Sequence, residues 1–205
     1  MYNNRRMNIS LPRVACVAVL LLPVAFAGEI QPIIENERVI VWDVPAGQAL
    51  PDAAVHHQYD ILKVSFTRGS GTAAFERKGD KGASGPASMR TMVVAFKDHK
   101  VAPIPNQTGY PAAFPRPGVK KLIDNDRITT WEYTWQPSVP TPLHFHDKDV
   151  VLVYLEDGSL SSTTPDGKVV VNDYKFGQIK FNPGNRSHTE LLVKGTQHAI
   201  MTELK

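Results

Sequence analysis

The sequence predicts an all-β protein of the antiparallel barrel or jelly-roll kind, on three observations. Helical periodicity is nearly absent, short runs rich in Val, Ile, Tyr, Phe and Trp recur, and Pro, Gly and Asp punctuate them. The runs fall at 39–42, 61–66, 91–96, 128–135, 150–155, 168–171, 178–181 and 198–204. Glu156-Asp157-Gly158 and Pro165-Asp166-Gly167 each set an Asp-Gly pair between extended runs, which predicts two successive hairpins.

Residues 1–27 read as an export signal: Arg5, Arg6 and Arg13 form a basic start, 14–24 is apolar, and Ala25-Phe26-Ala27 offers small residues for cleavage before Gly28. The apolar run is about half of the roughly 20 residues that span a bilayer, so no membrane anchor is expected after cleavage. The expected location is periplasmic or secreted. Those three arginines account for the whole formal excess of +3, leaving 20 basic against 20 acidic residues. A neutral chain without a basic stripe excludes nucleic acid as a partner. Cys16 also leaves with the signal, so the remaining chain holds neither disulfide nor thiol nucleophile.

The chain then divides into an N-terminal β-rich half at 28–101, a linker or wrapping loop at 102–123, and a C-terminal β-rich half at 124–205. Five prolines between 102 and 118 forbid regular helix or central strand there. Laid on itself at an offset of 89, segment 35–64 matches 124–153 at seven of thirty positions. Chance would give about two. The identities are Asn36/Asn125, Arg38/Arg127, Trp42/Trp131, Pro51/Pro140, His57/His146, Asp60/Asp149 and Val64/Val153. Residues 92–97 resemble 200–205 at an offset of 108, so the expectation is a duplicated barrel whose first copy is shorter.

His144 and His146 flank one residue on an extended run, so the strand period of two points both imidazoles to one face. His188 follows the turn Asn182-Pro183-Gly184-Asn185, which can swing it back over the barrel mouth. Three imidazoles leave coordination positions open for water, dioxygen or substrate. Glu190 is spaced to share the face of His188 as a distal ligand or proton acceptor, although an exposed strand carboxylate is the plainer expectation. Tyr154 is a candidate pocket residue. Asp60 and Asp149 are expected to brace turns, Trp42 and Trp131 to be core or rim aromatics, and His99 and His198 to serve surface or hydrogen-bonding roles. In the N-terminal half Val55 stands in the place of His144, and the adjacent His56 and His57 face opposite ways, so that half is expected to have lost the metal.

The C-terminal half resembles the cupin superfamily. Its first motif is matched by His144, His146 and Gly158, with Ser138 in the first Gly place and Val151 in the Glu place. Its second is matched by Gly177, Pro183 and His188, with Asn185 in the second Gly place and Leu192 in the Asn place. The resemblance implies a cupin-type antiparallel β-barrel, here a bicupin with a degenerate first copy, holding a divalent metal and a small-molecule ligand. A homodimer through edge strands is a further expectation of the resemblance. Valine in the Glu place leaves a three-His shell similar to that of thiol dioxygenases and related cupin oxygenases, which favours Fe(II). Zn, Mn, Ni and Cu also suit the donors. Two functions stay open: a small-molecule oxygenase or related enzyme, and a non-catalytic cupin module that binds a small ligand or a metal.

Overall fold

The structure is a computed structural model and describes residues 29–55, 58–80, 86–98, 101–102 and 104–205. The expected export segment, His56, His57 and His99 lie outside those residues. In chain order the elements are β1 (Ile34–Glu35), β2 (Val39–Val44), α1 (Asp52–Val55), β3 (Asp60–Thr67), β4 (Ser70–Glu76), β5 (Thr91–Phe96), β6 (Lys120–Asp124) and β7 (Ile128–Trp135). They continue with β8 (His144–His146), β9 (Val150–Tyr154), β10 (Gly158–Thr163), β11 (Val169–Tyr174), β12 (Ile179–Asn182), β13 (Arg186–Gly195) and β14 (Gln197–Leu204).

The pattern of burial on β9 shows how these strands are layered. Every residue of β9 is buried, and the two-residue alternation sends Val150, Leu152 and Tyr154 to one side and Val151 and Val153 to the other. A strand with two buried faces must lie in a middle layer, which is why it reads as a continuous apolar run rather than an alternating one. Its sheet, the back sheet, has the order β12-β9-β14-β7-β6. The front sheet has the order β11-β10-β13-β8, and together the two make the jelly-roll barrel, with all strand pairs antiparallel. Between them pack Trp131, Tyr133, Trp135, Leu152, Leu160 and Met201.

On the other side of the back sheet lies the N-terminal sheet, β1-β2-β5-β3-β4. Val39, Leu62, Val64, Phe66, Met92 and Phe96 from this sheet meet Ile128, Val151, Val153, Leu155, Ile200 and Leu204 in one core. Each fully buried aliphatic or aromatic side chain there stabilises the fold by roughly 1.5–3 kcal/mol. The far face of the N-terminal sheet, with Trp42 and Val93, is covered by Leu50, Ala53, Ala54 and Tyr59.

All named strands of residues 29–98 belong to this single open sheet, which does not close into a barrel of its own. The order of the sheet nonetheless parallels that of the back sheet, and so does its register. Val39 pairs with Phe96 as Ile128 pairs with Leu204, Ile61 with Ala95 as Val150 with Glu203, and Glu35 with Ile40 as Asp124 with Thr129. These partners are related by the same offsets of 89 and 108 that relate the sequences. The short helix α1 ends at Val55, the residue that the offset of 89 matches to His144.

Several sequence expectations need correction. Asp157-Gly158 is not a hairpin, because β9 pairs with β14 and β12 while β10 pairs with β11 and β13; the turn is a corner between sheets. Gly158 is needed there because a Cβ would meet the Thr196 carbonyl oxygen at 2.5 Å. The Pro165–Gly167 hairpin does form, with Gly167 at φ +83°. The segment expected to be a linker ends early, since residues 120–123 belong to β6. Asp60 and Asp149 do not brace local turns. Asp60 accepts from the Lys78 amide at 2.9 Å and pairs with Arg127, and Asp149 accepts from the Gly184 amide at 2.7 Å and pairs with Arg38.

Candidate metal centre

β8 and β13 are neighbours, and their register sets His188 opposite His144 and Arg186 opposite His146. Because alternate residues of a strand share a face, His144, His146, His188 and Glu190 all point into the barrel. The imidazoles meet there: Nε2 of His146 lies 3.2 Å from Nε2 of His144 and 3.3 Å from Nε2 of His188. All three are buried, and their ligand atoms fall within 4.8 Å of one another.

The tautomer of His144 follows from its surroundings. Nδ1 lies 2.7 Å from the Pro142 carbonyl and must donate to it, so Nε2 carries the lone pair. Lone pairs held about three ångströms apart repel unless a cation takes them. Metal–nitrogen bonds of about 2.0–2.1 Å separate two ligand nitrogens by about 2.9 Å at right angles and about 3.3 Å at the tetrahedral angle. The two spacings from His146 lie in that range and all three ligand atoms fall within 4.8 Å, so the residues fit a divalent cation. Burial favours the neutral rings that a metal needs: it pushes His144 down to about 4, and lowers His146, where Arg186 adds to the effect, and His188.

The departures from the cupin motifs have physical explanations. Ser138 and Asn185, both in Gly places, have φ of +61° and +58°, the left-handed conformation that glycine adopts without strain. The residue facing the pocket beside the histidines is Val150; Val151, in the expected Glu place, points the opposite way into the core shared with the N-terminal sheet. Both are valine, so no carboxylate joins the shell at either place.

Glu190 is not an exposed carboxylate. Its side chain is 16% accessible, Oε2 accepts from the Trp135 indole N–H at 3.1 Å, and Oε1 lies 3.8 Å from Nε2 of His188. Burial opposes its charge, but Arg116 and the histidines outweigh that and hold it below the usual carboxylate range. Tyr154 is buried against the pocket and stacks on Tyr174 at 4.2 Å; burial and that neighbour push its phenol well up. His198, outside the pocket, bonds Glu132 at 3.1 Å. Trp131 donates its indole N–H to Glu203 at 2.8 Å and belongs to the barrel core.

Two guanidinium groups at the pocket were not anticipated. Arg186, Glu190 and His188 share one parity on β13, so the spacing could have revealed Arg186. Arg116 carries no such signal, since it sits between Pro115 and Pro117 in the segment read as a linker. That segment runs along β8, with the Ala113 amide on the Phe145 carbonyl and the Phe145 amide on the Pro111 carbonyl, each at 2.9 Å. Phe114 stacks on Trp131, with centroids 5.5 Å apart, and Arg116 follows it into the barrel. The free volume left beside the histidines is about 20 Å³, room for about one water-sized group.

Two facing antiparallel sheets with three convergent imidazoles between them give this chain a cupin-type jelly-roll fold. No family model and no curated protein matches it. Among solved structures it is similar to a cupin domain from Bordetella pertussis, at 28% identity over 44% of this chain and 97% of that one, with a TM-score of 0.40. It is also similar to a cupin 2 conserved barrel domain protein from Leptotrichia buccalis, at 12% identity over 85% and 88% of the two chains, with a TM-score of 0.49. A third is the polyketide cyclase RemF from Streptomyces resistomycificus, at 24% identity over 52% and 78%, with a TM-score of 0.35.

Proposed function

We propose that this chain is an exported cupin that holds a divalent cation, Fe(II) by preference, through His144, His146 and His188 and acts on a small organic molecule bound beside it. The observation that carries the reading is the convergence of three buried Nε2 atoms at 3.2 and 3.3 Å, without a carboxylate at Val150 or Val151. A bound cation supplies Lewis acidity and, as Fe(II), access to dioxygen chemistry. The protein's part is to hold and shield. The Pro142 carbonyl fixes His144 in its ligating tautomer, and Phe114 packs edge-on to His146 with centroids 6.5 Å apart. Glu190, ionised beside His188, is the group placed to accept a proton from a bound molecule.

Metal analysis of protein purified anaerobically tests this. The native chain is expected to carry about one equivalent and His146→Ala almost none; an unchanged stoichiometry would overturn the assignment. A second reading, a binding module without catalysis, is favoured by the small free volume behind the Arg116 segment. Oxygen uptake with a panel of thiols, phenols and diketones separates the two, since a loaded protein that consumes no oxygen with any of them belongs to the second.

A further inference from the structure

Among the described residues, seven lysines from Lys63 to Lys205 are paired with a carboxylate at 3.9 Å or less. The remaining four, Lys168, Lys175, Lys180 and Lys194, have no such partner, and all stand on or beside the front sheet: the first two flank β11, Lys194 is on β13, and Lys180 reaches over the Tyr174 ring of β11 at 5.1 Å. The carboxylates nearby are engaged, Asp166 by the Thr164 hydroxyl, Asp173 by that of Ser159, and Asp157 by Arg68 at 3.4 Å. The same sheet carries most of the exposed apolar side chains. Of the eight large hydrophobic residues that are exposed among the described ones, five are Val139, Val169, Val170, Val171 and Val193, at 43% to 58% accessible. Their placement follows from the pleat. Leu160 and Leu192 pair and are buried in the barrel core, so the next row, Val171, Ser161 and Leu191, faces outward. Lys194, opposite Ser159, keeps that outer face across the β-bulge, and Val139 lies on the segment that borders β13 where Pro137 bridges to Leu192.

We infer that the outer face of the front sheet seats the protein on an anionic lipid surface, with the valines at the boundary between head groups and acyl chains and the lysines among the head groups. A contiguous apolar patch on a soluble domain marks an interaction surface, and the unpaired cations around this one say what covers it. A second copy of the chain fits less well, because a two-fold contact sets a face against itself and would bring unpaired lysines together. An acidic solute matches the lysines alone, whereas an anionic bilayer matches lysines and valines at once. The long lysine stems let the ammonium groups reach the head groups while the sheet lies on the surface. Each lysine brought close to such a surface strengthens binding about fivefold.

Flotation with vesicles of phosphatidylglycerol and phosphatidylethanolamine, and separately of phosphatidylcholine, tests this at about 0.1 M salt. The native protein is expected to bind the anionic vesicles roughly tenfold more tightly than the neutral ones or better. Lys168→Glu with Lys194→Glu should weaken that binding by about two orders of magnitude, and Val171→Ser with Val193→Ser by about fivefold. The positions are exposed, so thermal midpoints close to the native one show that both double variants are folded. Because each variant keeps every other segment of the chain, a loss belongs to this face. Equal binding to the two kinds of vesicle, no binding to either, or binding that either double variant leaves unchanged overturns the assignment. A concentration-dependent dimer that the valine substitutions dissolve, without vesicle binding, overturns it in favour of a second copy.

Discussion

Arg38 reaches from the N-terminal sheet to Asp149 of the barrel at 2.8 Å, and Arg127, its match at the sequence offset of 89, reaches back to Asp60, the match of Asp149, at 3.2 Å. The arginines also take equivalent carbonyls, Arg38 that of Lys205 and Arg127 those of Phe96 and Lys97. The interface is therefore built twice, once in each direction. The two halves differ in burial, with Arg38 8% exposed and Arg127 20%. Breaking a buried pair by removing one partner is more damaging than breaking an exposed one, because it strands a charge. Arg38→Met should lower stability by about 2–3 kcal/mol and Arg127→Met by about 1–2 kcal/mol. Chemical denaturation of both variants checks the order; equal losses would show that burial does not set the difference.

Much of this was legible in the sequence, for reasons that separate by type of signal. The offsets of 89 and 108 reappear in the strand registers, because an apolar strand placed one residue out of register would turn its core side chains outward. The histidines were legible because the two-residue period of a strand is a geometric certainty. Strands β1, β4 and β6 escaped notice, and β4, Ser70–Glu76, shows why: five of its seven residues are serine, glycine, threonine and alanine, and it is held by its pairing with β3 rather than by its own apolar pattern. Arg116 was illegible because a loop residue is aimed by tertiary packing, here by Phe114 on Trp131, and periodicity says nothing about it.

That stacking contact gives a second prediction. Phe114 is buried against Trp131 and edge-on to His146, and it is two residues from Arg116. Phe114→Ala should cost about 3 kcal/mol for the cavity it leaves. It should also free the segment that carries Arg116 while leaving the three histidines on their strands. Metal stoichiometry is expected to hold while proteolysis between residues 110 and 118 accelerates. Loss of metal in step with stability would mean that the segment itself maintains the histidine cluster.

The two left-handed residues in Gly places give opposite expectations. Ser138, at φ +61°, has no special tolerance for that conformation, so Ser138→Gly should stabilise the protein by roughly 0.5–1 kcal/mol. Asn185, at φ +58°, belongs to a residue type that adopts it readily, and glycine adds chain entropy to the unfolded state, so Asn185→Gly should change stability by less than about 0.5 kcal/mol. Thermal unfolding of the pair compares them directly, and a gain for Asn185→Gly larger than that for Ser138→Gly would refute the account.

Glu203 supplies a pH dependence that lies outside the metal pocket. Its carboxyl is buried on β14, and burial raises it above the usual 4.5, although the Trp131 indole N–H at 2.8 Å partly offsets this. The native state thus holds this proton more tightly than the unfolded chain does. Between the unfolded value and the raised native one, folding binds a proton, so the contribution to stability is complete below the lower value and is lost as pH rises through the upper. Glu203→Gln keeps an oxygen for the Trp131 N–H and removes the buried charge. The variant should therefore gain on the native protein as pH rises from the ordinary carboxyl value through the raised one. Denaturation midpoints across that range measure the difference. A gap that narrows with rising pH would mean that the charged carboxylate, paired with the indole, is the form the fold prefers.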